Sequence, residues 1–425
     1  MANKVELLSP AGNLEKLKIA ITYGADAVYG GVSHFSLRNR SGKEFTYETF
    51  KDGVDFAHNN GKKIYAAING FPFNSQLKIL REHIAKMRDT NVDAFIVATP
   101  GVIRLCKEVA PKIPLHLSTQ ANVLNILDAE VFYEMGVKRI VAARELSLKD
   151  AMEIKKALPN LEIEIFCHGS MCFAFSGRCL ISSLQSGRVP NRGSCANDCR
   201  FDYEYYVRNP DNGVMMRLLE EEGIGTHIFN AKDLNLSQHI DEILQSGAIS
   251  ALKIEGRTKS PYYAAISTRT YRMAIDDFYN GESRKNIYQD ELNTLKNRGF
   301  TDGYIVSRPY EKNNTQNQMS AISDGSYQVN AMIREDGEFG VCKYTIRLNE
   351  PKEIIFPLNT QYIDSIIVDN EIGRIYKENG KYFIIFKKIL LEDNKELSEI
   401  HSGNTNHFKL PCKLPSYSFL RERIN

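Results

Sequence analysis

Five of the chain's eight cysteines fall between residues 164 and 200, in "EIFCHGSMCFAFSGRCLISSLQSGRVPNRGSCANDCR". Four of them, Cys172, Cys179, Cys195 and Cys199, are separated by six, fifteen and three residues. Four thiolates from one glycine-rich segment match the donor set of a tetrahedral Zn²⁺ site or of an iron–sulfur cluster. Structural zinc commonly uses C-x-x-C knuckles, and neither close pair here has that two-residue gap. The spacing therefore favours iron–sulfur and leaves zinc as the alternative. Cys167 belongs to the preceding apolar run and reads as packing. Cys106, Cys342 and Cys412 stand alone in apolar surroundings, as small buried side chains do. His168 ends the run "IEIFCHG", a placement suited to acid–base work or substrate contact. Adjacent residues of a strand point to opposite faces, which argues against a Cys167–His168 nucleophile pair. Neither G-x-S-x-G nor H-E-x-x-H occurs.

The elements that must position these residues follow from the apolar pattern. Strand-like runs begin at Val5, Asp26, Lys63, Asp93, Leu115, Lys138 and Ile163, with helical patterns between them. Leu77, Leu80, Ile84 and Met87 recur at steps of three and four and draw one apolar stripe. Ser147 with Asp150 fits a capping box, and Ser260-Pro261 opens another helix with an N-cap followed by proline. Apolar strands alternating with helices imply a parallel sheet. Seven such units, an eighth strand "ALKIEGR" from Ala251, and the lack of G-x-G-x-x-G after the first strand predict a closed TIM-like (β/α) barrel over residues 1–315. Its cysteine-rich loop occupies 167–200. Polar residues at the strand C-terminal ends should then face the reaction site: Ser9, Asn69, Gln120, Asn122, Arg144, Glu145, His168, Glu255 and Arg257. Any one of them alone is an ordinary loop residue or helix cap; the set together is what marks that face.

"NNTQNQ", residues 313–318, reads as a linker. Beyond it the period changes to two, in "YQVNAMI", "GVCKYTIRL", "SIIVDN" and "KYFIIFKK", and Asn379-Gly380 signals a hairpin. Residues 320–425 are expected to form a small all-β domain.

Composition bounds the function classes. The formal net charge of +2 gives no global field for a polyanion, so any nucleic-acid contact must be a local patch. "MANKVELLSPAGN" lacks the apolar run of a signal peptide, and no window approaches a membrane span. The expectation is a cytoplasmic protein with reduced thiols and no membrane partner. Nothing in the sequence sets an oligomeric state.

"ELLSPAG", "GADAVYGG", "LSTQAN", "ARELSL", "EIEIFCHGSMCFAFSGRCL", "NRGSCANDCR" and "LKIEGRTKSPYY" resemble the collagenase-like peptidase family of unknown catalytic type, over nearly the whole chain and including "LPCKLP" near its end. Within that family the resemblance is to the branch that hydroxylates tRNA, installing 5-hydroxyuridine at the wobble position with prephenate as the linked metabolite. Relatives modify a ribosomal RNA cytidine, or carry a 4Fe–4S cluster and hydroxylate the ubiquinone ring. The resemblance implies an RNA-modifying enzyme with tRNA as partner, prephenate as co-substrate, and a 4Fe–4S cluster held by Cys172, Cys179, Cys195 and Cys199. Several relatives have a cysteine in the "KDLC" context, where this chain has Asn235; the tRNA branch also lacks it. The two carboxylates of prephenate call for guanidinium or ammonium partners, with Arg38, Arg144, Lys253 and Arg257 as candidates. His168, Arg144, Glu145, Lys253, Glu255 and Arg257 are the candidate catalytic set, and Arg38, Asn69, Gln120 and Asn122 the candidate substrate contacts. Arg178, Arg188, Arg192 and Arg200 form a modest basic set for RNA phosphates, diluted by Asp198 and Asp202. The family label supplies a competing expectation, a collagen-degrading protease, and a zinc-stabilised RNA-binding scaffold is a third.

Overall fold

The apolar runs do form strands. In a computed structural model, residues 4–32, 35–36, 44–172, 174–188, 190, 195–201, 204–218, 231–306, 325–358, 360, 366–402 and 407–424 are described. The strands of the N-terminal part are β1 (Glu6–Pro10), β2 (Ala27–Gly30), β3 (Lys63–Ile68), β4 (Ala94–Val97), β5 (Leu115–Leu117), β6 (Arg139–Val141), β7 (Glu162–Ser170), β8 (Tyr205–Arg208), β9 (Met215–Leu218), β10 (Asp233–Asn235), β11 (Ala251–Ile254) and β12 (Phe300–Thr301). Each of β1 to β7 pairs in parallel with the next. Strand β11 pairs in parallel with both β7 and β1, so eight strands close a barrel. Helices on the outside explain the near-continuous burial of these strands, which have no solvent face.

The helix signals hold at the level of single hydrogen bonds. The Ser147 hydroxyl accepts from the Asp150 amide to start helix Leu148–Ala157, and Ser260 accepts from Tyr263 ahead of Pro261 to start helix Pro261–Asn280. On helix Leu77–Asp89 the stripe is narrower than expected. Leu80, Ile84 and Met87 are buried, whereas Leu77, in the first turn before the helix meets the barrel, is 44% exposed.

Two glycines are required by close approach. A Cβ at Gly12 would stand 2.2 Å from the Arg257 carbonyl oxygen, so the loop after β1 could not pass the turn after β11. Gly169 has φ +106°, and a Cβ there would meet the Glu255 carbonyl at 2.6 Å.

Strand β7 is longer than its neighbours. Beyond the barrel its end pairs antiparallel with β10, which pairs in parallel with β12, while β8 and β9 form a separate hairpin. The C-terminal part is an eight-stranded antiparallel sheet running from Tyr327–Ile333 to Phe419–Arg423. Asn379 and Gly380, both at positive φ, join Gly373–Glu378 to Lys381–Phe386 as a two-residue hairpin. The linker candidate 313–318 lies outside the described residues.

Arg421, 1% exposed, fastens this sheet to the barrel. Its guanidinium donates to Glu353 Oε2 at 2.9 Å within the sheet, to Tyr262 Oη at 2.9 Å and to Glu291 Oε1 at 3.0 Å on the barrel side. Tyr23 adds a hydroxyl bond to the Tyr417 carbonyl at 3.0 Å.

Candidate functional site

The barrel interior is polar in two storeys. In the lower one Arg139 of β6 is 4% exposed and donates to Glu6 Oε1 at 2.6 Å, Glu162 Oε2 at 2.7 Å and Glu164 Oε2 at 3.1 Å. Burial disfavours its charge, but the Glu164 and Glu6 carboxylates hold the guanidinium above its ordinary pKa. The second oxygen of Glu164 accepts from Lys253 Nζ at 2.8 Å, and Tyr65 donates to Glu6 at 2.8 Å. The charges and their partners close on one another, as buried charges must.

Above this lies a cavity of about 90 Å³ at the C-terminal ends of the strands. Of the expected residues, Asn69, Gln120, Arg144, Cys172, Lys253, Glu255 and Arg257 line it. Lys253 forms its floor, with Nζ 4.4 Å from the Tyr29 ring centre. Arg144 extends over the Phe166 ring at 4.2 Å, with Nη1 3.8 Å from Cys172 Sγ and Nη2 3.7 Å from Glu255 Oε2. Arg257 Nη1 donates to Ser36 Oγ at 2.5 Å. The Ser118 hydroxyl links Asn69 Nδ2, at 3.4 Å, to Gln120 Oε1, at 3.2 Å.

In the lower storey the charged groups are paired, although His116 Nδ1 is unmatched; here donors of the cavity-lining side chains themselves are left open. Among the described residues, Arg144 Nε, Gln120 Nε2 and both amide atoms of Asn122 are buried without a hydrogen-bond partner. Asn122, at φ 60°, is the left-handed end of the short helix that follows β5. A buried donor costs about 1–3 kcal/mol when unmatched. Those on Arg144 and Gln120 line the cavity and mark where a ligand's acceptors belong.

Four expectations resolve differently. Asn122 is not among the residues lining the cavity. His168 does not line the cavity: β7 shifts register where it passes from Lys253 to Ile254 of β11, and the imidazole packs among Tyr263, Tyr271 and Phe300. Burial drives its pKa down to about 4, so it is neutral at pH 7. Ser9 faces the helix layer, its hydroxyl 2.8 Å from Thr268 Oγ1. Glu145 points to the cysteine loop, accepting from the Ser176 amide at 3.0 Å and from the Ser176 hydroxyl. Ser176 is fully buried at φ +30°, a strained value, and its hydroxyl also accepts from the Arg144 amide at 3.0 Å. The pair Arg144-Glu145 thus ties the cysteine loop to the barrel mouth. Arg38 lies outside the described residues.

All four loop cysteines are half-buried. Burial raises the pKa of Cys179, and the neighbouring Cys172 and Cys195 raise it further, which places three of the thiols within electrostatic reach of one another. Among the described residues no three His, Cys, Asp or Glu side chains already stand in a metal-holding arrangement. The donor set itself fits a cluster in chemistry and number: four reduced thiols, one in the cavity wall. Arg178 and Arg188 are exposed, Asp198 is buried and accepts from Ser186 at 3.2 Å, and Arg192 and the Arg200 side chain lie outside the described residues.

Sequence reasoning missed Tyr29, Ser118, Thr119 and Phe166 as cavity walls and the Arg139–Glu164 pair beneath. A charge alternating with apolar residues, as in "IEIF" and "KRIV", was the available signal for that pair. Among the described residues no helix is long and apolar enough to cross a membrane.

Residues 12–315 match the model of Peptidase family U32. The chain is 69% identical to tRNA hydroxylation protein P of Helicobacter pylori (strain ATCC 700392 / 26695), over 99% of each chain. It is 36% identical to tRNA hydroxylation protein P of Escherichia coli (strain K12), covering 76% of this chain and 79% of that one. Its identity to a collagenase of Porphyromonas gingivalis (strain ATCC BAA-308 / W83) is 30%, over 72% and 74% of the two chains. With a closed barrel, a polar mouth and a family match spanning that barrel, the chain belongs to Peptidase family U32.

Proposed function

We propose that this protein hydroxylates tRNA, converting wobble uridine to 5-hydroxyuridine, in the cytoplasm. The observation that carries the reading is the cavity: two arginines, a lysine and unmatched amide donors face one small space whose wall includes a cluster-type cysteine. Identity of 69% across the chain to a tRNA hydroxylation protein supports the substrate class. The cationic lining suits an anionic co-substrate with carboxylates, and prephenate fits that description: Arg144 and Arg257 meet carboxylates while Lys253 sets the floor. Replacing C5–H by C5–OH is a two-electron oxidation, so an oxygen donor that is itself reduced by two electrons must bind beside the ring; Glu255, beside Arg144 in the cavity wall, would take the proton released. Cys172, Cys179, Cys195 and Cys199 would hold a 4Fe–4S cluster, which when bound supplies a one-electron redox centre at the cavity wall.

A proteolytic reading finds less support. No histidine is among the residues lining the cavity, and His168 is occupied in an aromatic nest. The deciding experiment is mass spectrometry of tRNA nucleosides from a deletion strain. Loss of 5-hydroxyuridine and its derivatives, restored by the intact gene, supports the reading. Persistence of the modification with no second enzyme present, together with collagen cleavage by the purified protein, overturns it.

A further inference from the structure

A second, larger recess of about 580 Å³ lies between the barrel and the C-terminal sheet. Its walls come from the turn after β11, the N-terminus of helix Pro261–Asn280, the segment following helix Lys285–Asn293, the sheet strand Tyr327–Ile333, Lys343 and Phe419. Each of three separate segments brings one lysine: Lys259, Lys296 and Lys343, the last two exposed. Among the described residues no acidic side chain lines it. Tyr263 and Tyr327 give it aromatic surface, the Tyr327 ring lying 4.5 Å from the Arg421 guanidinium that locks the two parts together. In a chain of net charge +2, three lysines converging without a carboxylate form a local positive groove.

The groove and the cavity share a wall. Glu255 and Arg257 line the cavity, and the next residues, Thr258 and Lys259, line the groove. Tyr263, a groove residue, donates its hydroxyl to the Glu255 carbonyl at 2.7 Å. A strand lying in the groove therefore passes within one turn of the cavity mouth.

We infer that this groove binds the phosphodiester backbone of single-stranded RNA, with Lys259, Lys296 and Lys343 meeting phosphates, and that it directs one unstacked base over the 255–258 turn into the cavity. Lysine-lined grooves with aromatic faces hold single strands in this way, and anticodon loops present bases already splayed for capture. The inference rests on the tRNA reading above, and its test is separable from it.

The measurement is fluorescence anisotropy with unmodified tRNA from the deletion strain, across a salt series. The double reversal Lys296→Glu/Lys343→Glu should weaken binding by about tenfold or more and lower the slope of log K against log salt by about two, one per phosphate contact. The pair Lys296→Arg/Lys343→Arg should keep both, which separates loss of charge from loss of fold. Unchanged affinity and slope in the reversed pair overturns the inference and leaves the groove to a protein segment, whatever the deletion strain shows. Weakened binding alongside modification that persists without the gene upholds the groove as an RNA site and fails the hydroxylation reading instead.

Discussion

The two storeys of the barrel interior hold the same kinds of side chain to opposite effect. Below, Arg139, Glu6, Glu164 and Lys253 satisfy one another. Above, Arg144, Gln120 and Asn122 retain buried donors with no partner among the described residues. The lower set is a closed network of the kind that fixes strand register; the upper is a surface waiting for acceptors that the protein itself does not supply. Buried charge is therefore no marker of function here. Unmatched donors on the wall of a cavity, as on Arg144 and Gln120, are the better guide, and Lys253 is the residue that belongs to both storeys, bonded to Glu164 from above and facing the cavity as its floor.

The largest expected effect sharpens the upper half. Cys172→Ala should abolish tRNA hydroxylation and, in protein prepared without oxygen, the bound iron and sulfide, measured colorimetrically. Full iron content in that variant would remove Cys172 from the ligand set. Next, Glu164→Ala should destabilise the fold by about 3–5 kcal/mol in urea titration, because it removes the carboxylate that pairs buried Lys253 and one of the three that hold Arg139. A cost below about 1 kcal/mol would break the comparison by showing the lower network to be dispensable.

A smaller effect is expected at the mouth. Arg144→Met should lower the hydroxylation rate by about 10²–10³-fold, the usual cost of one positioned donor, while stability stays within about 1 kcal/mol because its Nε is unmatched and its contacts to Cys172 Sγ at 3.8 Å and Glu255 at 3.7 Å are long. Equal loss of stability and activity would make Arg144 a structural residue like Arg139.

The smallest effect belongs to His168, which lies between the two regimes. Its folded pKa of about 4 lies below the ordinary 6.5, so the unfolded chain takes up the proton first as pH falls. Its contribution is complete above about pH 6.5 and is lost between there and pH 4, amounting to about 3 kcal/mol. His168→Phe, measured by thermal melting across that window, should flatten the pH dependence and leave the hydroxylation rate at pH 7 largely intact. A collapse of activity with an unchanged melting profile would return His168 to the catalytic set.

The local pattern determined much of this protein. The eight barrel strands are largely apolar runs bounded by polar ends, as strands covered on both faces tend to be. Ser147, Ser260 and Asn379-Gly380 act through neighbours two or three residues away, so their caps and turn were readable from the chain.

What only tertiary structure decided involves partners distant along the chain. Arg139 finds Glu6 across 133 residues and Arg421 finds Glu291 across 130. The register shift between β7 and β11 turns His168 away from the cavity its position in sequence pointed toward. Whether a polar residue at a strand end is satisfied or left open depends on which side chains the closed barrel brings opposite it, and that is a property of closure and register, which no local pattern carries.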